Sequence, residues 1–147
     1  MKEDRHDESK AHVTADTEVT RTFETAKAAR AHAYAPYSHF PVGAAVRTRD
    51  GKTYGGCNVE NASYGATVCA ERGALLSAIA ESGSREFDHL VVVTGVDPPA
   101  VPCALCLQVI GEFCDSDFPI HLAAEDGIRT TVTLGELLPH PFNEIPD

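Results

Sequence analysis

Residues 89–96 read HLVVVTGV, and this apolar stretch decides the fold. A short valine-rich run without alternating polar positions predicts a strand that is buried on both faces of a sheet. A proline-containing segment, residues 97–102, follows the run, and residues 103–113 then form a pattern that favours a helix. A doubly buried strand that leads through a loop into a helix is typical of α/β proteins.

The segments on either side of this stretch extend the same architecture. Residues 40–48 and 53–59 are strand-like, and the Asp50-Gly51 turn between them predicts a β-hairpin. We predict helices from residue 21 to before Pro36, at 69–82 and at 134–138, and strands at 120–123 and 130–133. The predicted fold class is a three-layer α/β/α sandwich around a mixed sheet of roughly five strands.

The length of 147 residues predicts one domain. Residues 1–20 are polar and lack a periodic apolar face, so we predict a disordered or loosely attached extension there and the folded domain at residues 21–147. The first residues contain no apolar segment of the secretory type, and no run is long enough to span a bilayer, so we expect a cytoplasmic protein and no membrane partner.

The net charge of −10 bears on the partners of the protein. A surface that follows a phosphate backbone needs clustered lysine and arginine, and the chain has 12 of these residues, scattered along its length. We therefore expect no nucleic-acid partner. A small neutral substrate fits this charge better.

Cysteines carry the strongest chemical signal of the chain. Cys69 opens one predicted helix, and Cys103 and Cys106 lie three residues apart at the start of another, so all three sulfur atoms can reach one ion. Three thiolates leave the fourth tetrahedral position of zinc open, which is typical of a catalytic site. Zinc acidifies a water molecule at that position, and Glu71 would move protons. The pattern resembles the signature of the zinc-dependent nucleobase deaminases, in which a glutamate that is not a ligand accompanies the metal-binding residues.

Other interpretations of the cysteines stay open at this point. Cys103 and Cys106 also form a Cys-x-x-Cys pair, which occurs in redox proteins, and three cysteines can hold a structural zinc. We interpret Cys57 and Cys114 as small buried hydrophobic residues. Glu71 can reach the same ion as Cys69 only if that cysteine lies at the very end of its helix, because residues two apart on a helix diverge.

Several longer motifs resemble the homotetrameric cytidine deaminases, from about residue 22 to residue 142. The motifs that carry the resemblance are Ala35-Pro36-Tyr37-Ser38, Phe40-Pro41-Val42-Gly43-Ala44-Ala45, Gly56-Cys57-Asn58-Val59-Glu60-Asn61-Ala62-Ser63-Tyr64, Cys69-Ala70-Glu71-Arg72, the segment from Pro102-Cys103 to Gln108-Val109, and Leu137-Leu138-Pro139 with Phe142. The resemblance implies a deaminase fold, a homotetramer, and hydrolytic loss of ammonia from C4 of cytidine or deoxycytidine. The products would be uridine or deoxyuridine.

The resemblance also implies a role for each matching residue. Zinc would be bound by Cys69, Cys103 and Cys106, and Glu71 would be the catalytic acid and base. The substrate contacts would be Asn58 and Glu60 to the ribose hydroxyls, Phe40 against the pyrimidine, Ala70 through its backbone, and Phe142 in the pocket of a neighbouring subunit. Arg72 would bind the zinc thiolates.

Taken one at a time, these residues have simpler explanations. Phe40 and Phe142 are also what a core contains, Asn58 also suits a loop cap, and Glu60 also suits a solvated surface. It is their occurrence together that favours the functional assignment.

Two positions depart from the resembled family, which usually carries Pro-Cys-Gly-x-Cys-Arg. Here Ala104 replaces the glycine and Leu107 replaces the arginine. Nearby cations offset the charge of three thiolates, and the replacement by Leu107 removes one such cation. We therefore hypothesise altered activity or a modified cytosine nucleoside as substrate. A deaminase of an aminopyrimidine antibiotic and a non-catalytic zinc-stabilised nucleoside-binding protein are the competing functions.

Overall fold

A computed structural model describes residues 8–147, and of residues 8–15 the backbone alone. Along the chain, a helix is followed by two strands, a second helix, a strand, a third helix, two strands and a last helix. The helices are α1 (Glu8–Arg30), α2 (Ala70–Ser82), α3 (Ala104–Phe113) and α4 (Leu134–Leu137). The strands are β1 (Val42–Thr48), β2 (Thr53–Cys57), β3 (Phe87–Thr94), β4 (Pro119–Ala124) and β5 (Gly127–Thr133).

The five strands form one mixed sheet in the order β2-β1-β3-β4-β5. Strands β3 and β4 are parallel, and each of the other neighbouring pairs is antiparallel. Strand β3 lies at the centre, and seven of its eight residues are buried, including every residue from His89 to Thr94, as the valine-rich run predicts. The predicted mixed sheet is therefore confirmed.

Helices cover both faces of the sheet, which confirms the three-layer sandwich. On one face, α1 packs through Phe23 and Ala26 against Ala45, Val91 and Val93. On the other face, α2 and α3 pack against the alternate residues of the same strands. That larger core contains Ala44, Val46, Leu90, Val92, Ala74, Leu75, Leu107 and Ile110. Alternation of side chains along β1 and β3 divides the core in two.

Helix α1 begins earlier than its apolar pattern predicts. The loosely attached extension was predicted to reach residue 20, but α1 already starts at Glu8 and crosses that boundary without a break. Glu18 pairs with Arg47 at 3.0 Å, and Val19 packs against the α1 core, so this part of the segment is attached to the sheet. Residues 1–7 of the predicted extension lie outside the described residues. The division into domains stays a prediction.

Candidate active site and metal centre

Two helix starts bring the three cysteines together. Cys69 and Cys103 are the N-cap residues of α2 and α3, with extended ψ angles of 157° and 164°. Cys106 lies in the first turn of α3 and is fully buried. The loop after β3 leads into α3, so the cluster forms where the central strand ends, the usual place for ligands in open α/β sheets.

The sulfur atoms have the spacing of ligands to one ion. The Sγ atoms of Cys69 and Cys103 are 3.8 Å apart, and those of Cys103 and Cys106 are 3.6 Å apart. Tetrahedral ligands at the usual zinc–sulfur distance lie about 3.8 Å from one another. The three sulfur atoms lie within 4.8 Å of one another and therefore fit a zinc ion.

Glu71 lies beside this cluster, which meets the condition set by its spacing from Cys69. The extended backbone at Cys69 places it outside the regular helix, and Glu71 turns its Oε2 to 3.4 Å from the Sγ of Cys106. Glu71 is 5% exposed. Burial, with the nearby charge of Cys69, raises the pKa of its carboxyl above the ordinary value.

The thiols polarise one another. A hydrogen bond from Cys106 and the guanidinium of Arg72 lower the pKa of Cys69 to about 5, and the same hydrogen bond and burial raise the pKa of Cys106. Arg72 donates from Nη2 to the Sγ of Cys69 at 3.5 Å and to the carbonyl of Thr67 at 3.3 Å. The Nε of Arg72 is buried without a partner. A cation thus faces the donor set, which suits thiolate ligands.

A cavity of about 290 Å³ opens directly onto the cysteines. It contains most of the residues singled out from the sequence: Phe40, Asn58, Glu60, Cys69, Ala70, Glu71 and Cys103 line it. The structure therefore brings together residues from four separate segments of the chain. A second cavity of about 430 Å³, at the opposite end of β3, contains none of the three clustered cysteines.

Phe142 differs from the other selected residues. It does not line the cavity of its own chain, and it is 67% exposed. Its backbone is held by the side chain of Gln108, which donates to the Phe142 carbonyl and accepts from the Phe142 N–H at 3.2 Å. The ring is thus presented outward on a fixed backbone.

Sequence reasoning missed some of the cavity wall. Ser38, Thr67, Val92, Thr94 and Val101 also line it. Ser38 stands in one of the quoted motifs, and its neighbour Phe40 was a signal that the whole segment faces the site. Thr94 and Val92 were hidden inside the apolar strand, where nothing in the pattern separates a cavity residue from a core residue.

An α/β sandwich that holds three cysteines at two helix starts, with a buried glutamate beside them, defines the class of zinc-dependent deaminases. Residues 16–122 match the family model described as the cytidine and deoxycytidylate deaminase zinc-binding region. The chain belongs to this family, and its cofactor is zinc.

Individual relatives agree with the family model. Cytidine deaminase from Sporosarcina psychrophila is 43% identical over 86% of this chain and 93% of its own length. The crystal structure of cytidine deaminase from Burkholderia pseudomallei superposes with a TM-score of 0.77 at 46% identity, over 84% of this chain and 98% of that one. Blasticidin-S deaminase from Bacillus cereus is 31% identical over 67% of this chain and 74% of its own length.

Proposed function

We propose that the protein catalyses hydrolytic deamination of cytidine and deoxycytidine, consuming water and releasing uridine or deoxyuridine and ammonia. The observation that carries this proposal is the position of Glu71, which is buried on the wall of the cavity, 3.4 Å from the Sγ of Cys106. A structural zinc site does not need such a carboxylate. The non-catalytic binding protein is therefore disfavoured.

Cys69, Cys103 and Cys106 would hold the zinc ion. When bound there, zinc would activate a water molecule for attack at C4 of the pyrimidine. Glu71 accepts one proton of that water and passes it to ring N3. It then accepts the remaining proton of the attacking oxygen and delivers it to the amino group, which leaves as ammonia when the C4–N bond breaks and the C4 carbonyl forms. A carboxyl with a raised pKa suits both directions of transfer, because it holds a proton more readily than an ordinary carboxylate does and can still release it. Arg72 holds the thiolate of Cys69.

The cavity lining supports binding of a nucleoside. Phe40 offers an apolar wall to the pyrimidine, and the buried backbone of Ala70 lies at the start of α2 beside it. Asn58 and Glu60 offer an amide and a carboxylate to the ribose hydroxyls. The lining of this cavity includes no lysine or arginine among the described residues, which disfavours a substrate phosphate.

Replacement of Glu71 by glutamine tests the mechanism. Glu71→Gln keeps the shape of the side chain but removes proton transfer, so we expect cytidine turnover to fall by at least about 10²-fold while zinc stays bound. Turnover is followed by the ultraviolet change on uridine formation, and zinc by atomic absorption. Full turnover in the variant would overturn the assigned mechanism.

We also propose that the protein is a cytoplasmic homotetramer in which Phe142 closes the cavity of a neighbouring subunit. Exposure of the Phe142 ring on a fixed backbone supports this arrangement. Ligand cysteines must stay reduced, which suits a cytoplasmic location. Light scattering on the zinc-loaded protein should give the mass of four chains.

Phe142→Ala should raise the KM for cytidine about tenfold, because it removes an apolar side chain from the neighbouring cavity. Zinc content and the unfolding midpoint should not change. Ile145→Ala is the matched control, since Ile145 is an exposed apolar residue of the same tail. Equal kinetics for the two variants would contradict the proposed role.

Deamination of an aminopyrimidine antibiotic is the second candidate. The likeness to the Bacillus cereus blasticidin-S deaminase and the departures at Ala104 and Leu107 favour it. Asn58 and Glu60, which suit a ribose, favour cytidine. The ratio of kcat/KM for cytidine and blasticidin S distinguishes the two functions, and the double variant Ala104→Gly, Leu107→Arg shows whether the departures set that ratio.

A further inference from the structure

Residues 58–60 form a short segment that joins two parts of the cavity wall. On one side, the N–H of Tyr34 donates to the carbonyl of Asn58 and the N–H of Glu60 donates to the carbonyl of Tyr34, both at 2.9 Å. On the other side, Val59 and Val68 exchange two backbone hydrogen bonds of 2.9 and 3.0 Å. Because Cys69 follows Val68 directly, the 58–60 segment connects the first zinc ligand with the chain that leads to Phe40.

The Asn58 side chain forms hydrogen bonds with backbone groups of the segment that contains Phe40. It is 8% exposed, its Oδ1 accepts from the N–H of Val42 at 2.9 Å, and its Nδ2 donates to the carbonyl of Phe40 at 2.8 Å. These two bonds fix the backbone on both sides of Pro41. Loss of these two bonds would leave the N–H of Val42 and the carbonyl of Phe40 without this partner, and unpaired buried backbone groups are costly.

Glu60 makes the equivalent contacts at the other end of the same segment. Its Oε1 accepts from the N–H groups of Tyr37 and Ser38 at 2.9 and 3.1 Å. The Ser38 hydroxyl in turn accepts from the N–H of Phe40 at 3.1 Å. Hydrogen bonds from Ser38 and Tyr37 lower the pKa of the Glu60 carboxyl. A half-buried carboxylate thus organises the backbone before Phe40.

The segment between these contacts needs such support. His39 has a φ of 55°, in the left-handed region that residues other than glycine seldom adopt. A conformation of this kind persists where surrounding contacts determine it. The contacts on each side of His39 are those from Glu60 to Tyr37 and Ser38, and from Asn58 to Phe40 and Val42.

We propose that Asn58 and Glu60 are positioning residues that hold residues 37–42 and thereby place Phe40 on the cavity wall, in addition to any contact with the ribose. Their further hydrogen-bonding capacity leaves room for such a contact. Their loss therefore weakens binding of the pyrimidine even in a nucleoside without 2′- and 3′-hydroxyl groups. This consequence for substrate rests on the proposed deaminase function, but the positioning itself does not.

Amide hydrogen exchange of the zinc-loaded protein tests the positioning directly. In Glu60→Ala the amides of Tyr37 and Ser38 should exchange about tenfold faster, because the charge-assisted acceptor is gone. Glu60→Gln, whose amide oxygen still accepts, should restore part of the protection. Glu112→Ala removes an exposed carboxylate from α3 and is the matched control. Equal exchange in Glu60→Ala and the control would overturn the proposal.

Kinetics with 2′,3′-dideoxycytidine, as a substrate or as a competitive inhibitor of cytidine deamination, separate positioning from ribose binding. We expect Glu60→Ala to raise the KM or inhibition constant about tenfold for this nucleoside as well as for cytidine, with kcat changed by less than about threefold. A penalty that is present with cytidine and absent with the dideoxynucleoside would reduce Glu60 to a ribose contact and overturn the proposal.

Failure of the proposed function gives a different result. If the native protein turned over no cytosine nucleoside while Glu60→Ala still exposed the two amides, the deaminase function would fall and the positioning would stand. We place the test on Glu60 because this residue is only half-buried, whereas Asn58→Ala removes two bonds from a buried site and endangers folding.

Discussion

Leu105 and Leu107 lie on different sides of α3, and the exposed fractions of their side chains differ accordingly. Leu107 is 5% exposed and belongs to the core that α2 and α3 share with the sheet, whereas Leu105 is 66% exposed. In the resembled family an arginine is usual at the position of Leu107. Here the cation that contacts the cysteines is Arg72, and Leu107 contributes packing.

Leu107→Ala should lower the free energy of unfolding by about 2 to 4 kcal/mol, since it removes a buried side chain and leaves a cavity. Leu105→Ala on the same helix should change it by less than about 0.5 kcal/mol. Urea denaturation of the zinc-loaded proteins measures both values. Similar losses in the two variants would mean that Leu107 does not pack as described.

At the scale of elements, the position of α2 depends on how closely it approaches β2. Gly56 lies in β2, and a Cβ atom there would come within 2.3 Å of the Ala74 backbone nitrogen and 2.5 Å of the Ala70 carbonyl oxygen. A side chain at this position must push the helix away from the sheet. Cys69, Ala70 and Glu71 would move with the start of the helix.

Gly56→Ala should therefore lower both stability and zinc affinity. We expect a loss of about 3 kcal/mol in the free energy of unfolding and a lower zinc content after dialysis. Gly65→Ala is the control, because a Cβ atom there meets nothing within 4 Å. Native zinc content in Gly56→Ala would contradict the close approach of α2.

At the scale of the whole molecule, the pH dependence of stability involves a pair of histidines that lies under α1. His89 on β3 is 5% exposed, its Nε2 lies 2.8 Å from the Thr22 hydroxyl, and its ring centroid lies 5.4 Å from that of His121 on β4. Burial, with the charges of His121 and Arg47, lowers the pKa of His89 to about 4. Burial also lowers the pKa of His121.

Acid should therefore destabilise the folded chain through His89. A lowered folded-state pKa means that the unfolded state binds the proton first, so this stability is complete above about pH 6.5 and is lost as the pH falls toward 4. We expect the free energy of unfolding to decrease by about 2 kcal/mol more in the native protein than in His89→Gln between pH 7 and 4.5. Taking the difference between the two proteins cancels the contribution of the zinc site. Parallel curves would contradict the prediction.

Much of the fold was predictable from local patterns. The valine-rich run, the Asp50-Gly51 turn and the glycine after α2 each have a local physical cause, and the corresponding elements lie within two or three residues of their predicted ends. The start of α1 was not predictable, because its first residues are polar and carry no apolar period. Its attachment by Glu18 to Arg47 joins residues that are distant in the chain.

The sequence by itself determined the chemistry of the site: three cysteines at helix starts, a glutamate two residues after the first, and the motifs around Asn58 and Phe40. These are local features, since residue type and helix position set what a side chain can donate, accept or bind. The tertiary structure alone decided that Cys106 lies 3.4 Å from Glu71, that Leu107 is core, and that Asn58 and Glu60 bind the backbone around Phe40. Such contacts depend on how the strands and helices pack. Packing joins segments that are distant in the chain, and the local sequence of each segment does not indicate its partner.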